Sequence, residues 1–169
     1  MSSPLAAAFA HHTWATARLL DACQSVPQDK LETPVSGAFG SLLDTLRHYI
    51  NSDSFYLEII DDGVTRQESA RELDLDGLAP YAEATGRGWQ AFLARPNLDP
   101  DEMQHELDPD DGYTRDAPLG VRLMQALHHG YEHREQCCLA LAALGFEPPD
   151  LSGWAFGADT GLVVEVGPS

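Results

Sequence analysis

The chain has 169 residues and 43% of them are apolar, enough for one folded domain with a core of its own and too many for wholesale disorder. Ten basic against 27 acidic residues give a net charge of −17, which repels phosphate backbones and anionic lipid and sets nucleic acid aside as a partner. Three cysteines, two of them adjacent at Cys137 and Cys138, make no disulfide framework. No apolar run approaches the roughly 18 residues of a membrane span. Met1-Ser2-Ser3-Pro4 lacks a signal-peptide pattern, so the cytoplasm is the expected location.

A first helix is expected from about Leu5 to Ser25, because Leu5, Phe9, His12, Thr16, Leu19 and Cys23 recur in steps of four and three. That places His12 on the core side and His11, about 100° round the helix, in solvent. Pro27 and Gln28-Asp29-Lys30 end the element. Ser41 is a good N-cap for a second helix to about Asp61, with the stripe Leu42, Leu46, Tyr49, Ile50, Leu57 and Ile60 interrupted by Asp53. His48 lies nearly opposite, in line with Phe55 and Ile59. Two apolar lines on one helix imply a core face plus a site or a subunit interface, which leaves a homodimer open.

Asp61-Asp62-Gly63 is a stop signal, and an acidic connection leads to a third helix over about Leu78 to Ala94 with Pro80 in its first turn. Leu78, Tyr81, Thr85, Trp89 and Phe92 mark its buried side, although Gly86 and Gly88 each cost about 1 kcal/mol against alanine. Residues 97–118 are the least helical: Pro109-Asp110-Asp111-Gly112 reads as a turn, joining Met103–Leu107 to Tyr113–Ala117 in a short hairpin. Pro118 then suits the first turn of a fourth helix reaching Leu144, with Gly145 as its stop. In the tail, Leu162-Val163-Val164-Glu165-Val166 is expected to form a strand. The fold class is thus all-α: a single domain over 1–169 with a four-helix bundle at about 5–145, a short hairpin before the last long helix, and an irregular C-terminal tail at 146–169.

On the fourth helix Met124, Leu127, Tyr131, Cys138 and Leu141 make the apolar side. Nearly opposite, His129 and His133 share a line with Ala126, Cys137, Ala140 and Leu144. Two histidines four residues apart lie one turn apart on one face, where a single divalent ion can take both neutral imidazoles. The alternative is a pair held by hydrogen bonds or water with no ion. His128 points about 100° away from His129, and His105 carries no spacing signal. Arg122, on the histidine side, either reaches an anionic ligand or is simply paired or solvated. Cys137 lies one turn past His133, but beside Cys138 in a helix interior it reads as packing rather than as a nucleophile. His129-Gly130-Tyr131-Glu132-His133 also matches the H-x-x-E-H protease pattern. Only Glu135, Glu147 and Glu165 follow in a chain that soon ends, so that reading is set aside.

Three stretches belong together. They are Trp14-Ala15-Thr16-Ala17-Arg18-Leu19-Leu20-Asp21, the run Gly40-Ser41-Leu42-Leu43-Asp44-Thr45-Leu46-Arg47-His48, and His129 and His133 followed by Arg134-Glu135-Gln136, the last running on into Leu144-Gly145-Phe146-Glu147-Pro148-Pro149. In this order the chain resembles the DinB/YfiT-like superfamily of metal-binding four-helix bundles over roughly residues 9–157, with Glu135 where family members often have glycine. The resemblance implies that His48, His129 and His133 are a metal triad; His12 or Arg122 are then candidates to stand behind the ligands or against a substrate. Three imidazoles suit zinc, nickel, iron or copper and leave positions open for water or substrate. As one possibility the resemblance implies transferases and isomerases that use low-molecular-weight thiols such as bacillithiol or mycothiol. The leading expectation is therefore a metal-dependent enzyme passing such a thiol to small electrophiles. Metal-dependent hydrolysis, and a metal-binding stress or interaction protein without turnover, are the alternatives.

Overall fold

The computed structural model describes residues 3–61, 63–64, 68–107, 112–164 and 167. Helix α1 (Pro4–Cys23) starts at Ser3, whose hydroxyl accepts from the Ala6 N–H, and Pro4 occupies a first-turn position where its missing N–H costs nothing. A short α2 (Gln28–Leu31) follows. Helix α3 (Leu42–Ile60) opens with a capping box: the Asp44 N–H donates to Ser41 Oγ, and the Ser41 N–H donates back to Asp44 Oδ2. After a 3-10 turn at Ala70–Glu72 come α4 (Leu75–Leu93) and an antiparallel hairpin of β1 (Met103–Leu107) and β2 (Thr114–Pro118), with His105 opposite Asp116. Helix α5 (Leu119–Leu144) ends at Gly145, whose φ of +89° is cheap only without a Cβ, and a short α6 (Gly153–Asp159) completes the order.

Helices α1 and α3 each pack against both α4 and α5, which closes a four-helix ring with α1 and α3 on one diagonal. Two apolar clusters fill it. One gathers Leu19, Leu20 and Cys23 of α1 with Leu46, Tyr49 and Ile50 of α3 and Cys137 and Leu141 of α5. The other gathers Phe9, Leu57, Trp89, Phe92, Leu119 and Leu123. Each fully buried Leu, Ile or Phe contributes about 1.5–3 kcal/mol relative to exposure. Between the clusters runs a buried polar waist of His12, Thr16, Thr85 and Arg134. Among the described residues no helix is long and apolar enough to cross a membrane.

Several elements differ from expectation, each for a physical reason. Helix α4 starts at Leu75 because Asp74 caps it by accepting from the Gly77 N–H, so Pro80 sits in the second turn rather than the first. The second hairpin arm is shifted by one residue, and Pro118 ends β2 and caps α5 instead of entering it. Of the expected turn Pro109-Asp110-Asp111-Gly112, all but Gly112 lie outside the described residues, as does Asp62 of the earlier stop signal. The tail holds a helix, α6, and Leu162–Val164 form no strand; Glu165 and Val166 lie outside the described residues. There the Leu162 and Val163 N–H groups both donate to the Gly157 carbonyl, which removes them from any ladder. His11 is not in solvent either: its Nε2 is 2.8 Å from the Leu151 carbonyl and its ring packs on Trp14 and Phe156, which docks the tail onto α1.

The largest correction concerns α5. Met124 and Tyr131, expected on the core side, are 62% and 59% exposed, whereas Ala126, Gly130, Arg134, Cys137 and Ala140 are buried. Where neighbouring helices approach α5 closely, small residues take the buried positions beside Leu119, Leu123 and Leu141. Gly130 shows why: a Cβ there would lie 2.3 Å from His12 Cε1 and 3.0 Å from Arg134 Nη1. His12 is 1% exposed and held at Arg134, so it cannot yield. Gly130→Ala should therefore destabilise the protein by about 1–3 kcal/mol in urea melts, overpacking outweighing the gain in helix propensity.

Candidate metal centre

Because Leu46, Tyr49 and Ile50 turn inward, His48 is rotated off the core stripe of α3 and faces α5. Across the gap stand His129 and His133, one turn apart. The ring centroids are 5.2 Å apart for His48 and His129, 4.7 Å for His48 and His133, and 4.4 Å for His129 and His133. One nitrogen from each ring lies within 4.8 Å of the other two, and all three rings are half-buried. The structure thus brings together the three histidines that the resemblance named as a set.

The surroundings suit ligation. His133 Nδ1–H donates to Gln136 Oε1 at 2.9 Å, which fixes the tautomer and leaves Nε2 as the lone-pair nitrogen. Phe39 stacks on His48 at 4.1 Å and meets His133 edge-on, while Tyr56 meets His129 edge-on at 5.5 Å. Burial, followed by the neighbouring His133 and His48 rings, pulls the His129 pKa down to about 4, so this imidazole is neutral at pH 7 and its lone pair is available. The donor set fits a divalent transition metal held by three neutral nitrogens. Neither Phe39 nor Tyr56 was singled out from the sequence; Phe39 lies in the loop before α3 and Tyr56 on α3, and both meet the histidines only once α3 is set against α5.

A family model described as the DinB family matches residues 1–158. The chain belongs to the DinB family. No curated protein matches it as a relative.

The two residues expected behind the ligands or against a substrate fare differently in this DinB-family chain. His12 faces the waist with both ring nitrogens: Arg134 donates to Nδ1 at 3.0 Å, and Nε2 lies 3.1 Å from Asp53 Oδ1, close but off the line of a good hydrogen bond. Asp53 Oδ1 also accepts from Trp89 Nε1 at 3.0 Å. His12 is thus a buried neighbour of the α5 histidine segment, tied to Arg134 and Asp53. Its partner Arg134 was read from the sequence only as part of a resemblance, yet it is 4% exposed and also approaches Thr16 Oγ1.

Arg122 does not serve the triad. Its Nη1 donates to Glu106 Oε2, and its Nη2 donates to the Arg115 carbonyl at 2.8 Å, so it clamps the β1–β2 hairpin to α5. Of the two readings open for Arg122, the structure shows the paired one: the hairpin, invisible to helix periodicity, supplies its counter-charge. Arg122→Leu should cost about 3 kcal/mol in a denaturant melt by stranding the Glu106 carboxylate, and should leave metal binding at the histidine cluster unchanged by elemental analysis.

The cysteines are packing residues. Burial raises the Cys23 pKa to about 12 and that of the half-buried Cys138 to about 11, and it pushes fully buried Cys137 well up. A raised thiol pKa means less thiolate, so at pH 8 none of the three should react with a chromogenic disulfide in the folded protein. All three should react promptly once the chain is unfolded in denaturant.

Proposed function

We propose that this chain is a divalent-metal-dependent enzyme that transfers a low-molecular-weight thiol to small electrophiles, with His48, His129 and His133 as the metal ligands. The observation that carries the reading is the set of three neutral-capable imidazoles converging from two helices with no carboxylate or cysteine among them. A divalent ion bound there would lower the pKa of a thiol or water placed at its open positions. The residues of the chain supply the rest. Gln136 orients His133, Phe39 and Tyr56 hold the outer rings, and the apolar faces of both aromatics limit water at the cluster. The buried thiols of Cys23 and Cys137 are protonated and enclosed, which favours a nucleophile brought in from outside over one from the protein.

In the transfer, sulfur forms the bond to the electrophilic carbon, the leaving group departs with the bonding electron pair, and the thiol proton passes to solvent. Incubating zinc- or nickel-loaded protein with a thiol and 1-chloro-2,4-dinitrobenzene tests this. The expected result is thioether formation that needs both thiol and metal and falls at least about a hundredfold in His129→Ala, since losing even an outer-shell partner of a metal ligand costs about 10–100-fold. Metal content of His129→Ala, measured by elemental analysis, should fall with it. Loss of electrophile without thiol incorporation, in proportion to metal, would instead indicate water as the nucleophile.

A further inference from the structure

We propose that the cleft beside His48 binds an anionic group, a carboxylate or a phosphate, of the molecule that reaches the triad, through Arg47 and Arg71. The inference rests on the reading of the triad as the reactive centre and names the substrate class that this centre takes. The cleft has a volume of about 670 Å³ and is lined by Phe39, Gly40, Asp44, Arg47, His48 and Arg71. It therefore shares a wall, His48, with the histidine cluster. A ligand held in it meets His48 at one wall and Arg47 and Arg71 at others.

Charge makes this placement informative. The chain carries only ten basic residues against 27 acidic ones, so its general field repels anions, and an anionic ligand needs a local cationic seat. Two of those ten line this cleft. They are brought there by specific bonds: Arg47 Nε donates to the Leu73 carbonyl at 2.7 Å, and Asn51 Oδ1 accepts from the Ala70 N–H at 2.9 Å and from Ser69 Oγ. These bonds pin the 3-10 turn carrying Arg71 onto the helix carrying Arg47 and His48.

The acidic residue in the lining, an ion-pair partner of Arg47, offsets only part of this charge. Asp44 Oδ2 is taken up by the Ser41 N–H and hydroxyl in the capping box, and its nearest oxygen stands 4.0 Å from Arg47 Nη1, beyond a hydrogen bond. Anchoring Arg47 through Nε leaves the two terminal nitrogens for a ligand. A guanidinium has five N–H donors in a planar fork and can hold an oxyanion beside another partner. Phe39, 53% exposed and stacked on His48, offers an apolar wall for the carbon chain between the anionic end and the reacting end.

Cobalt(II)-loaded protein, titrated with 3-mercaptopropionate and with uncharged 1-thioglycerol, tests the proposal through the sulfur-to-cobalt charge-transfer band. The charged thiol should bind about tenfold tighter, the scale of one charge-assisted hydrogen bond, and the margin should shrink with added salt. Arg71→Gln and Arg47→Gln should each remove most of that margin and leave the affinity for 1-thioglycerol unchanged. Arg71→Gln is the deciding variant, because Arg47→Gln also loses the bond to Leu73; thermal melts confirm that each variant is folded. Equal binding of the two thiols by the wild type overturns the proposal while leaving the thiol reading intact. So does a preference that survives in both variants, since the metal itself would then hold the carboxylate.

If neither thiol gives a band, the thiol reading fails and the cleft is judged without it. Succinate and inorganic phosphate are then titrated while the ring protons of Phe39 are followed by NMR. Saturable shifts lost in Arg71→Gln sustain the anion site and show which oxyanion it prefers; no shift with either overturns it.

Discussion

A guanidinium buried at the waist of a helical bundle must be met by partners, and meeting Arg134 positions all four long helices of this protein. Arg134 on α5 donates to His12 on α1, His12 turns its other nitrogen toward Asp53 on α3, and Asp53 accepts from Trp89 on α4. Arg134 has only donors, so Nδ1 accepts, and Nε2 faces the carboxylate. A cation and an anion therefore bracket the imidazole, an arrangement that makes burial of the charges tolerable. Sliding α5 by one residue would carry Arg134 and its neighbour His133 away together. The register that satisfies the waist is also the register that sets His129 and His133 against His48.

Close approach is the second half of the same constraint. The chain of partners can form only because residue 130 has no Cβ to strike His12. A similar economy holds across the bundle at Gly86, where a Cβ would fall 2.3 Å from Thr13 Cγ2. Glycines that weaken isolated helices here let helices meet, and the cost in propensity of about 1 kcal/mol each is offset by packing that bulkier residues would forbid.

The arginines divide by environment rather than by sequence neighbourhood. Arg134 orders the waist and Arg122 clamps the hairpin, both buried against partners from distant segments. Arg47 is bonded to the Leu73 carbonyl beside an open cleft. One residue type thus serves structure in two places and faces solvent in a third. The difference lies in whether buried partners occupy its terminal nitrogens, the His12 ring for Arg134 and the Glu106 carboxylate with the Arg115 carbonyl for Arg122.

By itself the sequence determined the four long helices, the Ser41 cap, the hairpin and the one-turn spacing of His129 and His133, because these follow from near-neighbour sterics and hydrogen bonding. His48 came from resemblance, since nothing local marks a histidine off the apolar stripe as a partner of residues some 80 positions away. Only the tertiary structure decided which face of α5 is inside, because that depends on how near α1 and α3 approach and so favours Ala126, Gly130 and Cys137 over Met124 and Tyr131. It likewise decided that Arg122 belongs to Glu106 and His11 to the Leu151 carbonyl. Long-range pairing of polar groups has no periodicity to read. It is fixed only when the chain has closed and each buried donor must find an acceptor.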